Sequence, residues 1–283
     1  MKLVRPAVTA AVCLTVMSTL GVFAATASAQ SVEGRAPELV TDRPDFTESS
    51  DVVGAGLVQF EMGTTFESEG QADARDRAMT FPLGLVRIGV ARRLELRFST
   101  DGYVVDSIGT GFSRSTARGQ ADMEVGAKYV FRETGQGGIA FAVIPMFSLP
   151  TGNELFTSGT VDPTVKFTWA ADLPRDFSLS GNVNVSRLGD DLGRYTEHAV
   201  SASLGHDLKG GWGGYWEVYG FMPQGRPGSA AWTVNTGITH GIGGNAQIDF
   251  EIGRGVTSAA PDWFVGTGLG IRTSAFRHLL RTR

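Results

Sequence analysis

The chain has 283 residues, is 42% hydrophobic and 19% charged, and carries 38 glycines, one cysteine and a formal net charge of −4. Glycine is about twice as frequent as in average soluble domains and shows no collagen-like period, which signals many turns and close backbone approaches. The hydrophobic share excludes a disordered chain, and a mildly acidic balance without a basic cluster argues against a nucleic-acid partner.

Residues 1–29 read as a secretory signal peptide. Lys2 and Arg5 precede an apolar stretch from Ala7 to Ala25, and Ala27-Ser28-Ala29 supplies the small residues of a cleavage site. Thr9, Thr15, Ser18 and Thr19 dilute the segment, and no stop-transfer charges follow, so a membrane anchor is the weaker reading. Cys13 lies ahead of most of the apolar stretch, the wrong place for a lipoprotein cysteine. Cleavage after Ala29 removes it, so the mature chain has no cysteine and no disulfide.

The remainder is organised as residues 30–55, an N-terminal periplasmic or lumenal segment; 56–276, a strand region; and 277–283, a short tail. No stretch after the leader reaches the roughly 18 apolar residues of a spanning helix. Alternation recurs instead. Val58, Phe60, Met62 and Phe66 are interleaved with polar or small residues, as are Leu94, Leu96 and Phe98, then Met123, Val125, Ala127, Tyr129 and Phe131. The same holds for Val165, Phe167 and Trp169, for Leu179, Val183 and Val185, and for Ala246, Ile248, Phe250 and Ile252. Side chains of a strand point alternately to two faces, so each segment has one apolar and one polar face.

Twelve strands are predicted, over 56–67, 78–89, 93–100, 119–131, 138–149, 161–171, 177–187, 195–206, 212–222, 231–240, 245–254 and 262–273. Short connections alternate with longer ones near 68–77, 101–118, 150–160, 188–194, 223–230 and 255–261. An even strand count with short turns at one end and longer loops at the other predicts an all-β, antiparallel transmembrane barrel of the bacterial outer membrane. Ten residues at about 3.3 Å each, tilted about 40°, rise roughly 25 Å, the height of the apolar band such barrels present to lipid. A soluble β-sandwich uses the same alternation, with its polar face outward. The regular succession of connections weighs against it, as do Tyr195, Trp212, Trp232, Trp263 and Phe264, placed near strand ends like an interfacial girdle.

In a barrel the polar face points inward. Glu61, Arg87, Glu95, Arg97, Asp122, Glu124, Lys128, Lys166, Glu217, Asp249, Glu251 and Arg272 are therefore the candidate lumen residues. Two readings stay open: structural packing of a narrow barrel by paired charges, or a polar channel whose charges tune selectivity. Twelve strands fall between small filled barrels and wide porins, which suggests a narrow or partly plugged pore. One strand is apolar on both faces: Ile139, Phe141, Val143 and Phe147 on one, Ala140, Ala142, Ile144 and Met146 on the other. The inner strip either guides a hydrophobic solute or packs against a loop or the N-terminal segment.

Ahead of the first strand stands Thr41-Asp42-Arg43-Pro44-Asp45-Phe46-Thr47-Glu48-Ser49-Ser50. This decapeptide resembles the N-terminal motif of the outer-membrane family named after a phenol meta-cleavage degradation pathway. Gly126-Ala127-Lys128-Tyr129, Ser148-Leu149-Pro150-Thr151-Gly152, Glu217-Val218-Tyr219-Gly220, Ile248-Asp249, Gly253-Arg254-Gly255 and Asp262-Trp263-Phe264-Val265-Gly266-Thr267-Gly268 are similar to that family as well. The resemblance covers roughly residues 38–272. It implies a transmembrane barrel for uptake of small, in part aromatic, compounds. The chain departs from the usual outer-membrane ending, because Phe276 is followed by seven further residues; Phe276 or Ile271 then serves as the strand end.

The decapeptide has neither helix nor strand period, and Pro44 biases Arg43 toward an extended conformation. With Asp42, Arg43, Asp45 and Glu48 as charges and Phe46 as an apolar anchor, it either lies inside the barrel mouth and restricts it, or is an ordered lead-in to the first strand.

Catalytic readings are weak. His198, His206, His240 and His278 have no metal-ligand spacing, and His198 or His240 near Ser201 is the sort of pair a serine-rich barrel produces by chance. Gly241-Ile242-Gly243-Gly244 reads as a turn between strands, not a phosphate loop. Asp190-Asp191 reads as a solvated outer loop. No cofactor or metal is expected. The expected partners are outer-membrane lipid and lipopolysaccharide, the barrel-insertion machinery and a small-molecule solute. Two functions remain: a passive channel for small hydrophobic or aromatic molecules, or a non-transporting structural or surface-interaction barrel with a closed lumen.

Overall fold

The computed structural model describes residues 39–71, 74–110, 113–133, 138–225 and 229–274. The expected signal peptide with Cys13, the start of segment 30–55, His278, Phe276 and the tail 277–283 lie outside the described residues. Fourteen strand segments follow one another: β1 (Val58–Gln71), β2 (Ala74–Ala91), β3 (Leu94–Thr100), β4 (Tyr103–Thr110), β5 (Ser113–Gln120), β6 (Met123–Arg132), β7 (Ile139–Leu149), β8 (Asp162–Leu173), β9 (Phe177–Asp190), β10 (Gly193–Asp207), β11 (Trp212–Gln224), β12 (Ala231–Ile242), β13 (Ala246–Gly255) and β14 (Trp263–Thr273). Among the described residues the only helical turn is Lys209–Gly211.

The wall is a closed antiparallel ring. Its ladder runs from β1 through β14 down to β6, then to β3 and β2, and β2 pairs with β1 again. That ring has twelve members. β4 and β5 are continuations of β3 and β6: β2 pairs with β3 over Gly84–Ala91 and with β4 over Ala74–Phe81. The break between β3 and β4 falls at Asp101-Gly102. Gly102 has φ +75°, and an added Cβ would run into the Pro82 backbone, so only glycine fits where the strand changes course. Closure leaves the ring itself without an unpaired edge, the condition for crossing a bilayer with strands.

Alternation sorts side chains as periodicity requires. Phe60 and Met62, Phe131, Phe141 and Phe147, Phe167, Val183 and Val185, Trp216 and Val218, and Ile248, Phe250 and Ile252 are exposed on the outside. Their neighbours Gln59, Glu61, Thr168, Asn182, Glu217, Asp249 and Glu251 are buried on the inside. The inversion of the usual rule, apolar out and polar in, is the signature of a lipid-facing wall.

Three expectations change. The longer connections near 68–77, 101–118 and 188–194 are hairpins, not loops: strand pairing continues to Gln71↔Ala74, Thr110↔Ser113 and Asp190↔Gly193. Tyr195 and Phe264 do not belong to an outer girdle. Tyr195 shares the inward parity of buried Ala199, and Phe264 is 7% exposed, facing inward between outward Trp263 and Val265. Finally, Ala140, Ala142, Ile144 and Met146 are at most 3% exposed, so the inner strip of β7 is covered and forms no open apolar path.

Candidate functional site

The short-turn half of the barrel is filled by the segment that precedes β1. Residues 39–57 hydrogen-bond to inward side chains of β1, β2, β3, β6, β8, β10, β11 and β13. Their sequence explains why. They present carboxylates, hydroxyls and free backbone groups in a stretch too short and irregular to satisfy itself, and a polar lumen supplies the partners.

Asp42 is the hub. Its carboxylate accepts from Arg97 Nη1 at 2.6 Å and Lys128 Nζ at 2.9 Å, lies 3.5 Å from Arg87 Nη1, and is capped by Ser49 N and Oγ. Glu48 accepts from Arg97 Nη2 at 2.8 Å and from Lys166 Nζ. On the wall, Glu95 accepts from Arg87 Nε at 2.9 Å and Arg97 Nη1 at 2.8 Å, while Glu61 accepts from Arg87 Nη1 at 3.2 Å. The same cations hold the segment's backbone. Arg87 donates to the carbonyls of Val40 and Asp51, and Lys128 donates to those of Ser49 and Asp51. Wall carboxylates take its amides: Glu61 from Asp42, Glu95 from Val53, Glu217 from Phe46 and Thr47.

The charge arithmetic is local and closes. Among groups in direct ion-pair contact, the wall offers four cations, Arg87, Arg97, Lys128 and Lys166, against Glu61 and Glu95. The two missing negative charges come from Asp42 and Glu48 of the inserted segment. Burial alone raises both carboxyls; the cations outweigh it. Arg87, Lys128 and Arg97 hold Asp42 well below the usual carboxylate range, and Arg97 with Lys166 draws Glu48 down to about 2. Asp45 is the opposite case: burial, with Glu217 beside it, pushes its carboxyl well above the usual range.

On the far wall the segment is anchored differently. Phe46 stacks on Tyr219 at 4.8 Å and meets Phe221 edge-on at 5.2 Å. Thr47 Oγ1 donates to Glu217 at 2.6 Å and lies 2.7 Å from Ser201 Oγ. Arg43 reaches Asp249 Oδ1 at 3.3 Å through a slot made by Gly63 and Gly268, which face each other across the β1–β14 ladder. An added Cβ at either glycine would occupy the space of the guanidinium.

Of the sequence-predicted residues, Glu61, Arg87, Glu95, Arg97, Lys128, Lys166, Glu217 and Asp249 thus meet the segment, and Glu251 lines the space above it. Glu124 accepts from Ser99 Oγ within the wall. Asp122 holds the 150–161 connection, accepting from Gly152 N, Thr157 Oγ1 and Ser158 N, and Arg272 donates to Gly244 O and Asn245 Oδ1 at the β12–β13 turn. Both meet connections between strands. Uncharged partners carry no charge to mark them: Gln59, Thr168, Ser201 and Gln247 occupy inward parity positions and bond to Val40, Ser50, Thr47 and Thr41. Their parity was the available signal. His198 is exposed on the outer face while Ser201 faces inward, and His240 stacks on Trp212 at 4.4 Å, so neither histidine forms a pair with Ser201.

Above the segment, toward the long hairpins, a cavity of about 390 Å³ is bounded by Pro44, Asp45 and Phe46 below and by Leu83, Leu85, Tyr219, Glu251 and Phe264 on the wall.

The fold is similar to that of an outer membrane channel from Pseudomonas putida F1, at 11% identity and TM-score 0.59, covering 82% of this chain and 100% of that one. The NanC porin matches at 10% identity and TM-score 0.49, over 76% of this chain and 98% of its own. The translocator domain of the autotransporter NalP from Neisseria meningitidis matches at 10% identity and TM-score 0.47, over 78% and 89%. At such identities the likeness is one of fold. No curated protein sequence matches the chain. One family profile matches residues 41–273, beginning at the first residue of the decapeptide, and by that match the chain belongs to the family described as "Putative MetA-pathway of phenol degradation".

Proposed function

We propose that this protein is a non-enzymatic outer-membrane channel for passive uptake of small molecules with an apolar or aromatic body, exported by a signal peptide cleaved after Ala29. The observation that carries the proposal is the cavity above residues 39–57. It faces the long-hairpin end, has the volume of a small-ligand site, and combines the rings of Phe46, Tyr219 and Phe264 with Leu83 and Leu85 beside charged neighbours. A single-ring solute fits such a vestibule, and the inserted segment forms its floor. Passage beyond requires the segment to move or thin, so residues 39–57 set the conductance and the lumen charges set selectivity.

The competing reading is a closed, non-transporting barrel, and the dense buried ion network around Asp42 favours it. Liposome swelling across solutes of graded size and polarity separates the two. The channel reading predicts swelling that is fastest for small apolar solutes and faster still after deletion of residues 38–50. Unchanged rates after deletion overturn the gating role, and no swelling in either form overturns the channel.

A further inference from the structure

The four-stranded overhang at the long-hairpin end gathers its arginines on the outward face. In β2 the outward parity of Met79 and Phe81, both exposed, continues outward through Arg77 and Arg75. Across the ladder these align with Val105, Tyr103, Ser107 and Gly109 of β4, and then with Arg118, Gln120, Thr116 and Arg114 of β5. All four arginines are exposed. Among the described residues none lies within ion-pair distance of a carboxylate. Of the acids of the overhang, Glu67, Glu69, Asp76 and Asp106 take the opposite parity, and Glu67 lines the cavity inside; the outward face has one carboxylate at its β1 margin, Asp262, which accepts from Gly70 N beside Arg75.

The patch has dimensions as well as sign. Strands lie about 4.8 Å apart, so Arg75 and Arg114, aligned across the side-chain-free Gly109, stand roughly 10 Å apart. Arg114 and Arg118 are four residues, roughly 13 Å, apart along β5. Small residues, Gly109, Ser107 and Thr116, occupy the ground between, leaving room for a group seated among guanidinium forks. Immediately below come Met79, Phe81 and Tyr103, exposed at 44, 58 and 45% as lipid-facing residues should be. A net-positive patch at the upper edge of an apolar belt, with Arg118 level with Met79 and the other three arginines above it, has the sign and the place to meet headgroup phosphates of a bilayer leaflet.

We propose that the outward face of β2, β4 and β5 binds the phosphate groups of lipopolysaccharide, with Arg75, Arg77, Arg114 and Arg118 as their ligands. The assignment rests on the outer-membrane placement above and not on channel activity. Guanidinium suits phosphate better than ammonium does, because its fork takes two oxygens at once.

The test is a titration of the purified full-length barrel in zwitterionic detergent with labelled lipopolysaccharide. The wild type should bind, and Arg75→Gln/Arg77→Gln/Arg114→Gln/Arg118→Gln should bind about tenfold more weakly or worse. Lysine at the same four positions should recover part of the affinity. Arg92→Gln/Arg93→Gln, at the short-turn end, should leave it unchanged. Two arms use wild type alone and do not depend on a variant folding: enzymatically dephosphorylated lipopolysaccharide should bind about tenfold more weakly, and millimolar inorganic phosphate should compete only marginally. Equal binding of the dephosphorylated glycolipid, equal loss in the Arg92/Arg93 control, or a glutamine variant within twofold of wild type overturns the assignment. Swelling activity in the same preparations reports on the channel separately.

Discussion

Asp42→Asn removes one charge and keeps the shape, which isolates the electrostatic role of the inserted segment. In the wild type Asp42 supplies one of the two negative charges that neutralise Arg87, Arg97, Lys128 and Lys166 beyond what Glu61 and Glu95 provide. With asparagine the sector carries one uncompensated cation, and the guanidinium of Arg97 loses its 2.6 Å partner. Breaking one side of a buried ion pair costs about 3–5 kcal/mol. The barrel wall is held by its own ladders, so this loss falls on docking of residues 39–57. Taking about 3 kcal/mol shifts the docked-to-undocked ratio by roughly two orders of magnitude. Planar-bilayer recordings read this directly: the variant should show a raised fraction of time in a larger conductance state, with unaltered heat-modifiable mobility on gels. Identical dwell-time distributions for wild type and variant, with both barrels intact, would refute the reasoning.

Three further outcomes follow from the same geometry. Gly63→Val places side-chain volume in the slot of Arg43 and should destabilise docking by about 1–3 kcal/mol, read as a lowered denaturation midpoint; Gly84→Ala, whose added carbon meets Thr100 Cγ2 at an ordinary 3.8 Å, is the control and should change little. Glu48 is held lower in the folded protein than its ordinary value of 4.5, so its contribution is complete above pH 4.5 and is lost as pH falls toward about 2; the conductance difference between wild type and Glu48→Gln should be constant above that window and vanish within it, whereas a difference that already shrinks above pH 5 would contradict the assignment. Phe250→Arg puts a cation at the middle of β13 on the outward face and should weaken folding into vesicles by about 2–4 kcal/mol; an unchanged urea midpoint would argue that this face does not meet lipid.

The barrel was legible because bilayer and lumen impose opposite solvents on alternate residues, and most strand bounds fall within a few residues of those read from the alternation. That signal stops where the bilayer stops. Ser113–Gln120 has polar residues on both faces because neither face of the overhang meets an apolar medium, so no period marks it as a strand and 101–118 has the look of a loop. Pairing with Tyr103–Thr110 makes it one. Tyr195 and Phe264 were misread for a related reason: nearness to a strand end is visible in sequence, but the face depends on register. The lumen network was legible only by half. Inward parity picks out Arg87, Arg97 and Lys128, yet their partners Asp42 and Glu48 belong to a segment without period, 55 and 49 residues from Arg97 in the chain. Which carboxylate answers which cation is a consequence of the path through the lumen, and no local pattern encodes it.

Because the expected mature chain has no cysteine, a cross-link can fix that path without interference. Thr47 Oγ1 and Ser201 Oγ lie 2.7 Å apart, so Thr47→Cys/Ser201→Cys joins the inserted segment to β10. Introduced together with Asp42→Asn, the oxidised pair should abolish the large-conductance openings, and a reducing agent should restore them within one recording. Openings of the same size and frequency in both redox states would mean that residues 39–57 do not control the pore.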